Sequence, residues 1–440
     1  MTTQSDPSRS AATGENPVSA MRHIFTENRT GTARGIYSVC SAHPLVLDAA
    51  FAQAAADKSL LLIEATCNQV NQDGGYTGMT PAGFRDYVHS LAAAAGFAGD
   101  QVILGGDHLG PNPWRSLPAE AAMEKACVMV RDFALAGFAK IHLDASMRCA
   151  GDPAVLSDEE IAERAARLCA VAEDATAHTS SRPVYIVGTE VPIPGGAQGE
   201  LEIAVTTTAS VEKTLAVHRQ AFERRGLASA WERVVGVVVQ PGVEFGDESV
   251  ADYIPQHAAE LSRWILSAEG IVFEAHSTDY QAGDSLRQLV RDHFAILKVG
   301  PELTLALREA VFGLACVEAE WIAGARQSDI RATLDRVMVE NPANWQGYYH
   351  GDAHHLRIAR AYSLSDRIRY YWPNADVSAA LSLLIENLGR HPAPLPLLAQ
   401  FLPMQAEAIR RREIENDPRA IIRHRIRMTL ARYARACGVL

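Results

Sequence analysis

Four short apolar runs each end in ionisable residues: Gly105-Gly106-Asp107-His108, Ile141-His142-Leu143-Asp144, Gly188-Thr189-Glu190 and Glu274-Ala275-His276. Carboxylates and imidazoles are the groups that hold divalent cations and move protons beside a carbonyl. In that chemistry Asp107 is the candidate to transfer a proton, Glu190 is a second catalytic candidate, and His108, Glu190 and His276 are candidate ligands of a divalent metal, Zn²⁺ favoured. His142 and Asp144 share one face of an extended chain, as do Glu274 and His276, because side-chain direction repeats every two residues. The first pair reads either as metal or hydroxyl contacts or as a packed histidine donating to its neighbour.

Two lysines lie in strand-like runs. Lys298, in AILKVG, is placed to neutralise a substrate oxyanion, or, with its pKa lowered by burial, to act as a Schiff-base amine. Both Lys298 and Lys140 read equally as salt-bridge partners inside a barrel layer. Glu64 ends the run LLLIEA, and the stretch NQVNQDGGYTGMTP offers Asn68, Gln69 and Tyr76 for hydroxyl recognition or for closing a structural loop. With Asp144 and Lys298, these make the expected substrate contacts. Glu244 is a further loop carboxylate.

Gathering such groups requires a scaffold whose strand ends converge. Eight strand candidates alternate with helix-length stretches, at 35–39, 60–65, 102–106, 138–144, 184–190, 234–239, 271–275 and 294–300. That alternation implies parallel strands with covering helices. The count and the ionisable strand ends favour an α/β fold of the TIM-type (β/α)8 class over an open doubly wound sheet. The expected organisation is a flexible polar tail over 1–20, the barrel over 21–328, and a helical addition over 329–440 that packs on the barrel or a partner. Nine arginines between Arg410 and Arg435 read as a solvent-facing amphipathic helix rather than a nucleic-acid surface.

The 440 residues are 48% hydrophobic, enough for a large core, and the formal net charge of −11 gives no reason to expect nucleic-acid binding. The seven cysteines have no CxxC spacing, which fits a reduced cytoplasm. Neither a membrane-spanning run nor an apolar signal core is evident. A GxxxxGK[ST] phosphate loop is absent, so ATP-dependent phosphotransfer is disfavoured.

The strings LIEATCNQVNQDGGYTGMTP, ILGGDHLGPN, KIHLDASMRCAGDP, GTEVPIPGG, QPGVEF, EAHSTDYQ, DHFAILKVGP and SLSDRIRYYWP occur in order and together closely resemble the GatZ/KbaZ-like family. The resemblance runs from about Gly35 to Gly438. It implies an accessory, non-catalytic subunit of a class II D-tagatose-1,6-bisphosphate aldolase, working beside a separate catalytic subunit in tagatose, galactitol or amino-galactose catabolism. No cofactor is required for a purely accessory role. A more distant resemblance is to the catalytic class II aldolases, in which Asp107-His108 looks like the catalytic aspartate and a metal histidine, His276 like a later metal histidine, and Lys298-Val299-Gly300 like the strand leading to the phosphate region. Glu190 departs from a three-histidine ligand pattern, and EAHSTDYQ lacks the paired glycines of a phosphate cradle. The alternative reading is therefore an intrinsically active metal-dependent aldolase, epimerase or isomerase acting on a sugar or sugar phosphate. An oligomer is expected in either case.

Overall fold

A computed structural model describes residues 16–179, 181–191, 203–324 and 327–439. Eight parallel strands close into a barrel: β1 (Ile36–Val39), β2 (Leu61–Thr66), β3 (Val102–Leu109), β4 (Lys140–Leu143), β5 (Val184–Val187), β6 (Val234–Val238), β9 (Val272–Ala275) and β10 (Ile296–Val299). Between β6 and β9 lies a small antiparallel hairpin, β7 (Glu244–Phe245) and β8 (Val250–Ala251), which the sequence did not announce. The circuit closes where β1 pairs with β10, Ser38 lying opposite Lys298. All eight expected strands form, so the chain has the TIM-type fold.

The interior is layered by polarity. At the N-terminal end, Leu62, Ile103, Val184, Val235, Val272 and Ile296 form an apolar cluster with Met21, Ile24 and Phe25. Those last three come from the helix Pro17–Arg29, so the expectation of a polar tail through residue 20 is corrected at Pro17–Ala20; residues 1–15 lie outside the described residues. Asn16 caps the helix by accepting from the Val18 N–H, Pro17 sits where a missing N–H is harmless, and the buried apolar face seals the barrel floor.

Helix starts follow local chemistry. The side chains of His43, Thr80, Ser157 and Thr207 accept backbone N–H groups at the starts of Pro44–Asp57, Pro81–Ala94, Asp158–Ala175 and Thr208–Arg224. Beyond Pro301–Trp321 the chain is helical, and its last helix, Pro418–Ala436, returns to pack against Pro44–Asp57, Gly283–Arg291 and Pro301–Trp321. Ile421, Ile422, Ile426, Leu430 and Tyr433 are buried there. Its arginines are anchored to barrel elements: Arg423 reaches Asp48 at 2.7 Å, Arg425 pairs with Glu309, and Arg432 with Glu302. The helix is amphipathic as expected: its apolar stripe closes the outer ring of helices, Arg419 and Arg435 are exposed, and Arg423, Arg425, Arg427 and Arg432 lie partly buried beside the stripe.

Candidate functional site

Consecutive residues of a regular strand point to opposite faces, so Asp107 and His108 can share a cavity only if the strand is interrupted. It is. The register between β3 and β4 shifts between Gly106 and Leu109, and His108 adopts φ 50°, a left-handed conformation that costs a non-glycine residue on the order of 1–3 kcal/mol. Gly105 matters for a different reason: a Cβ there would lie 2.4 Å from Glu64 Oε1, so only glycine lets that carboxylate cross the barrel.

Glu64 is the hub of a buried ionic layer. Its Oε1 lies 2.5 Å from Lys140 Nζ, its Oε2 accepts from the Ser38 hydroxyl at 2.7 Å, and Lys298 pairs with it from the opposite side. Lys140 also lies 2.7 Å from Glu274, and Lys298 lies 2.9 Å from Asp107. Burial disfavours all these charges, but opposite charges outweigh it. Lys140 is raised above its ordinary value by Glu274 and Glu64, and Lys298 well above it by Asp107, Cys40, Glu64 and Glu274. A lysine held as ammonium is no nucleophile, which overturns the Schiff-base reading of Lys298. Burial pushes the Cys40 thiol up to about 12, which keeps it equally unreactive.

The imidazoles and their carboxylates form the layer above. His108 Nδ1 is 2.7 Å from Asp144 Oδ2 and its Nε2 is 3.7 Å from Asp107. Burial works against the protonated ring, but Asp107 and Asp144 raise its pKa all the same. The same contacts, set against burial, hold Asp144 well below the usual carboxylate range, and His108 with Lys298 does so for Asp107. Burial pushes His276 down to about 4, only partly offset by Glu274, whose Oε1 lies 2.8 Å from Nε2. His276 is therefore neutral near pH 7, as a metal-binding imidazole must be.

Asp107, His142, Glu274 and His276 each offer a donor atom, and these atoms lie within 4.8 Å of one another. Two carboxylate oxygens and two imidazole nitrogens suit Zn²⁺ or a similar divalent ion. His142 Nε2 is buried without a hydrogen-bond partner, while Nδ1 lies 3.0 Å from Asp107. The His108 N–H also points at Nδ1, at 3.3 Å; with Nδ1–H turned to Asp107, Nε2 keeps a free lone pair, and with Nδ1 accepting from His108, Nε2 carries the ring hydrogen. Four buried carboxylates, Glu64, Asp107, Asp144 and Glu274, against two ammonium groups, Lys140 and Lys298, leave a formal −2 before the imidazoles are counted. Donor types, the orphaned nitrogen and the charge deficit all fit a divalent cation.

The structure thus brings together Glu64, Asp107, His108, Asp144, His276 and Lys298 from the expected set with His142, Glu274 and Lys140, whose roles the sequence left open, and adds Ser38 and Cys40. His108 is not one of the four converging donors, since its ring is held between two carboxylates. Glu190 is elsewhere. It is exposed, accepts from Thr206 at 2.6 Å, and lines a separate cavity of about 430 Å³ with Gln240 and Glu244. β5 ends three residues earlier at Val187, so the chain has left the barrel axis before Glu190; its expected place among the metal ligands is corrected. The following VPIPGG loop lies outside the described residues from 192 to 202.

The amide-rich loop is used mainly to hold itself. Asn68 accepts the Tyr76 N–H through its backbone carbonyl, and both ends of the Gln69 amide are engaged, by the Thr66 N–H and the Cys40 carbonyl. Tyr76 packs edge-on against Tyr370, ring centres 4.7 Å apart. Across the mouth, Asp279 accepts the Gly300 and Glu302 N–H groups at 2.9 and 2.8 Å, at the start of Pro301–Trp321. A helix start after the last strands is where such barrels often take a phosphate, and here the chain's own carboxylate fills it. Burial pushes Asp279 up to about 7.

Residues 21–438 match the family described as D-tagatose-1,6-bisphosphate aldolase subunit GatZ/KbaZ-like. A solved protein from Sinorhizobium meliloti 1021, described as a probable tagatose 6 phosphate kinase, is 50% identical over 92% of this chain and 100% of its own, with a TM-score of 0.85. At 14% identity, the YdjI aldolase from Escherichia coli K12 aligns over 84% of this chain and 96% of its own (TM-score 0.39). The fructose-bisphosphate aldolase from Campylobacter jejuni, also 14% identical, aligns over 85% and 93% (TM-score 0.42). Likeness at that distance does not place the chain in a family. The match along almost the whole described chain does: this protein belongs to the GatZ/KbaZ-like family of D-tagatose-1,6-bisphosphate aldolase subunits.

Proposed function

We propose that the chain is an accessory subunit that supports the activity and stability of a separate catalytic class II D-tagatose-1,6-bisphosphate aldolase subunit, in the cytoplasmic breakdown of tagatose, galactitol or amino-galactose. The observation that carries this reading is the engagement of Asp107 by Lys298 and His142, at 2.9 and 3.0 Å. A general base works best with a pKa near the operating pH, and Asp107 is held well below the usual carboxylate range. The filling of the helix start by Asp279 acts in the same direction, because it removes a ready place for a substrate phosphate.

Partner binding is supported by the distribution of exposed apolar side chains. Among the described residues, six of the ten large exposed hydrophobic side chains fall between 321 and 404: Trp321, Val339, Tyr362, Leu383, Leu395 and Met404. The helical addition over 329–440, with a neighbouring barrel face, is the proposed seat of the catalytic subunit. No described helix is long and apolar enough to cross a membrane.

A second reading, metal-dependent conversion of a sugar or sugar phosphate by the chain itself, is favoured by the convergence of Asp107, His142, Glu274 and His276, one donor atom from each lying within 4.8 Å of the others. A divalent ion there, with Zn²⁺ the favoured one, would polarise a ketose carbonyl. Asp107, His142, Glu274 and His276 would hold it, and Asp107 would hold or release the transferred proton.

Purifying the chain alone and with a class II catalytic subunit separates the readings. The accessory role predicts a stable complex and a longer active lifetime of the partner, with no turnover by the chain alone. An unchanged partner lifetime and oligomeric state would defeat it.

A further inference from the structure

A cavity of about 470 Å³ lies where the loops after β1 and β2 meet the helix Ala375–Arg390 of the helical addition. Junctions between two parts of a fold are common places for small ligands, and this volume suits one small organic molecule. Much of the wall is apolar, with Leu45, Met79, Tyr87, Trp372, Leu381 and Ile385 contributing to it.

The polar groups of the wall are already engaged within the protein. Gln69 is held at both ends by the Thr66 N–H and the Cys40 carbonyl. The Thr77 hydroxyl donates to the Gln69 carbonyl at 2.7 Å, the Tyr87 hydroxyl to the Ala42 carbonyl at 3.2 Å, and the Thr304 hydroxyl to the Pro301 carbonyl at 3.1 Å. His43 Nδ1 accepts the Leu45 N–H, and Arg369 turns its guanidinium to the Ser365 and Asp366 carbonyls and the Tyr370 hydroxyl. A ligand rich in hydroxyls would give up its hydration here for few hydrogen bonds in return, whereas an apolar body gains by leaving water.

Charge around the cavity is one-sided. Among the described residues that line it there is no aspartate or glutamate, in a chain that has 52 of them. Arg419 does line it, is exposed, and its guanidinium has no ion-pair or hydrogen-bond partner among the described residues. Asp417, two residues away, is turned to the backbone N–H groups of Arg419 and Ala420, at 2.9 and 3.0 Å. Ser378 and Ser382, both exposed, complete this edge.

We propose that this cavity binds a monocarboxylate with an apolar body, its carboxylate on Arg419 at the rim and its hydrocarbon among Leu45, Tyr87, Trp372 and Leu381. A guanidinium can meet a carboxylate through two parallel N–H bonds, and the acid-free wall leaves that cation unopposed. The site uses none of the ionisable cluster in the barrel, so it stands whether the chain is catalytic or accessory.

Calorimetric titration of the full chain with hydrocinnamate and octanoate, each against its own alcohol, tests the site and separates aromatic from aliphatic bodies. At least one acid is expected to bind at least about tenfold more tightly than its alcohol, and saturating D-fructose 6-phosphate not to displace it. Arg419→Gln should bring acid and alcohol to equal affinity without lowering thermal stability, because the side chain is exposed and unpaired. Ser382→Trp, at an exposed helical position that lines the cavity, should weaken acid and alcohol alike by at least about tenfold. No binding of either acid, alcohols binding as tightly as acids, displacement by the sugar phosphate, or acid affinity unchanged in either variant would overturn the proposal.

Discussion

Lys140 Nζ and Glu64 Oε1 meet 2.5 Å apart inside the barrel, and neither side chain is exposed. A buried pair of this kind contributes little relative to apolar packing, but removing one partner strands the other. Lys140→Met is therefore expected to destabilise the fold by about 3–5 kcal/mol, read as the midpoint of chemical denaturation. In the double variant with Glu64→Gln, the two losses should be smaller than additive. Strict additivity would show that the pair does not act as a unit.

The contact between His108 and Asp144 sets a pH dependence. His108 is raised above its unfolded value of about 6.5, so its contribution is complete below that pH and fades as pH rises through the folded value. Asp144 is depressed, so its contribution holds above about pH 4 and is lost only as pH falls through its folded value. The melting-temperature gap between wild type and Asp144→Asn should be widest between about pH 4 and 6.5 and narrow toward pH 9. A gap that stays constant across this range contradicts the assignment.

Metal affinity should follow the four converging donors. His142→Ala or His276→Ala is expected to weaken Zn²⁺ or Mn²⁺ binding by at least about tenfold, whereas Glu190→Gln should leave it unchanged. Elemental analysis after dialysis, with calorimetry, reads this out. Loss of the ion in Glu190→Gln with retention in His142→Ala would reverse the geometry argued above.

Removing residues 417–440 tests how the last helix belongs to the fold. Ile421, Ile422, Ile426 and Leu430 are buried, and Gly35 donates to the Cys437 carbonyl just before β1. The truncated chain is expected to lose its cooperative thermal transition by circular dichroism. A transition within a few degrees of wild type would make the helix dispensable.

Much of this architecture was legible in the residues. Eight apolar runs of strand length, each followed by helix-length sequence, correspond to the eight barrel strands, and period-two spacing placed His142 with Asp144 and Glu274 with His276. The choice of ligands was not legible, because it turns on the irregularity at His108, where a left-handed residue breaks the alternation. Glu190 was misplaced because β5 ends at Val187, two residues short of it. The pairing of Arg423 and Arg432 with Asp48 and Glu302 joins residues hundreds of positions and 130 positions apart respectively, which no local pattern encodes. The contribution of SLSDRIRYYWP to the barrel mouth was hidden for the same reason.

The most direct test of the accessory role uses a chain with its ionisable cluster disarmed. The half-life of a catalytic tagatose-bisphosphate aldolase subunit at fixed temperature would be measured alone, with wild-type chain, and with the Asp107→Asn/His276→Gln variant, after confirming that the variant is folded. The account predicts equal protection by both chains and no aldol cleavage by either in isolation. Turnover by the isolated wild-type chain that vanishes in the variant, with no protection of the partner, would contradict it.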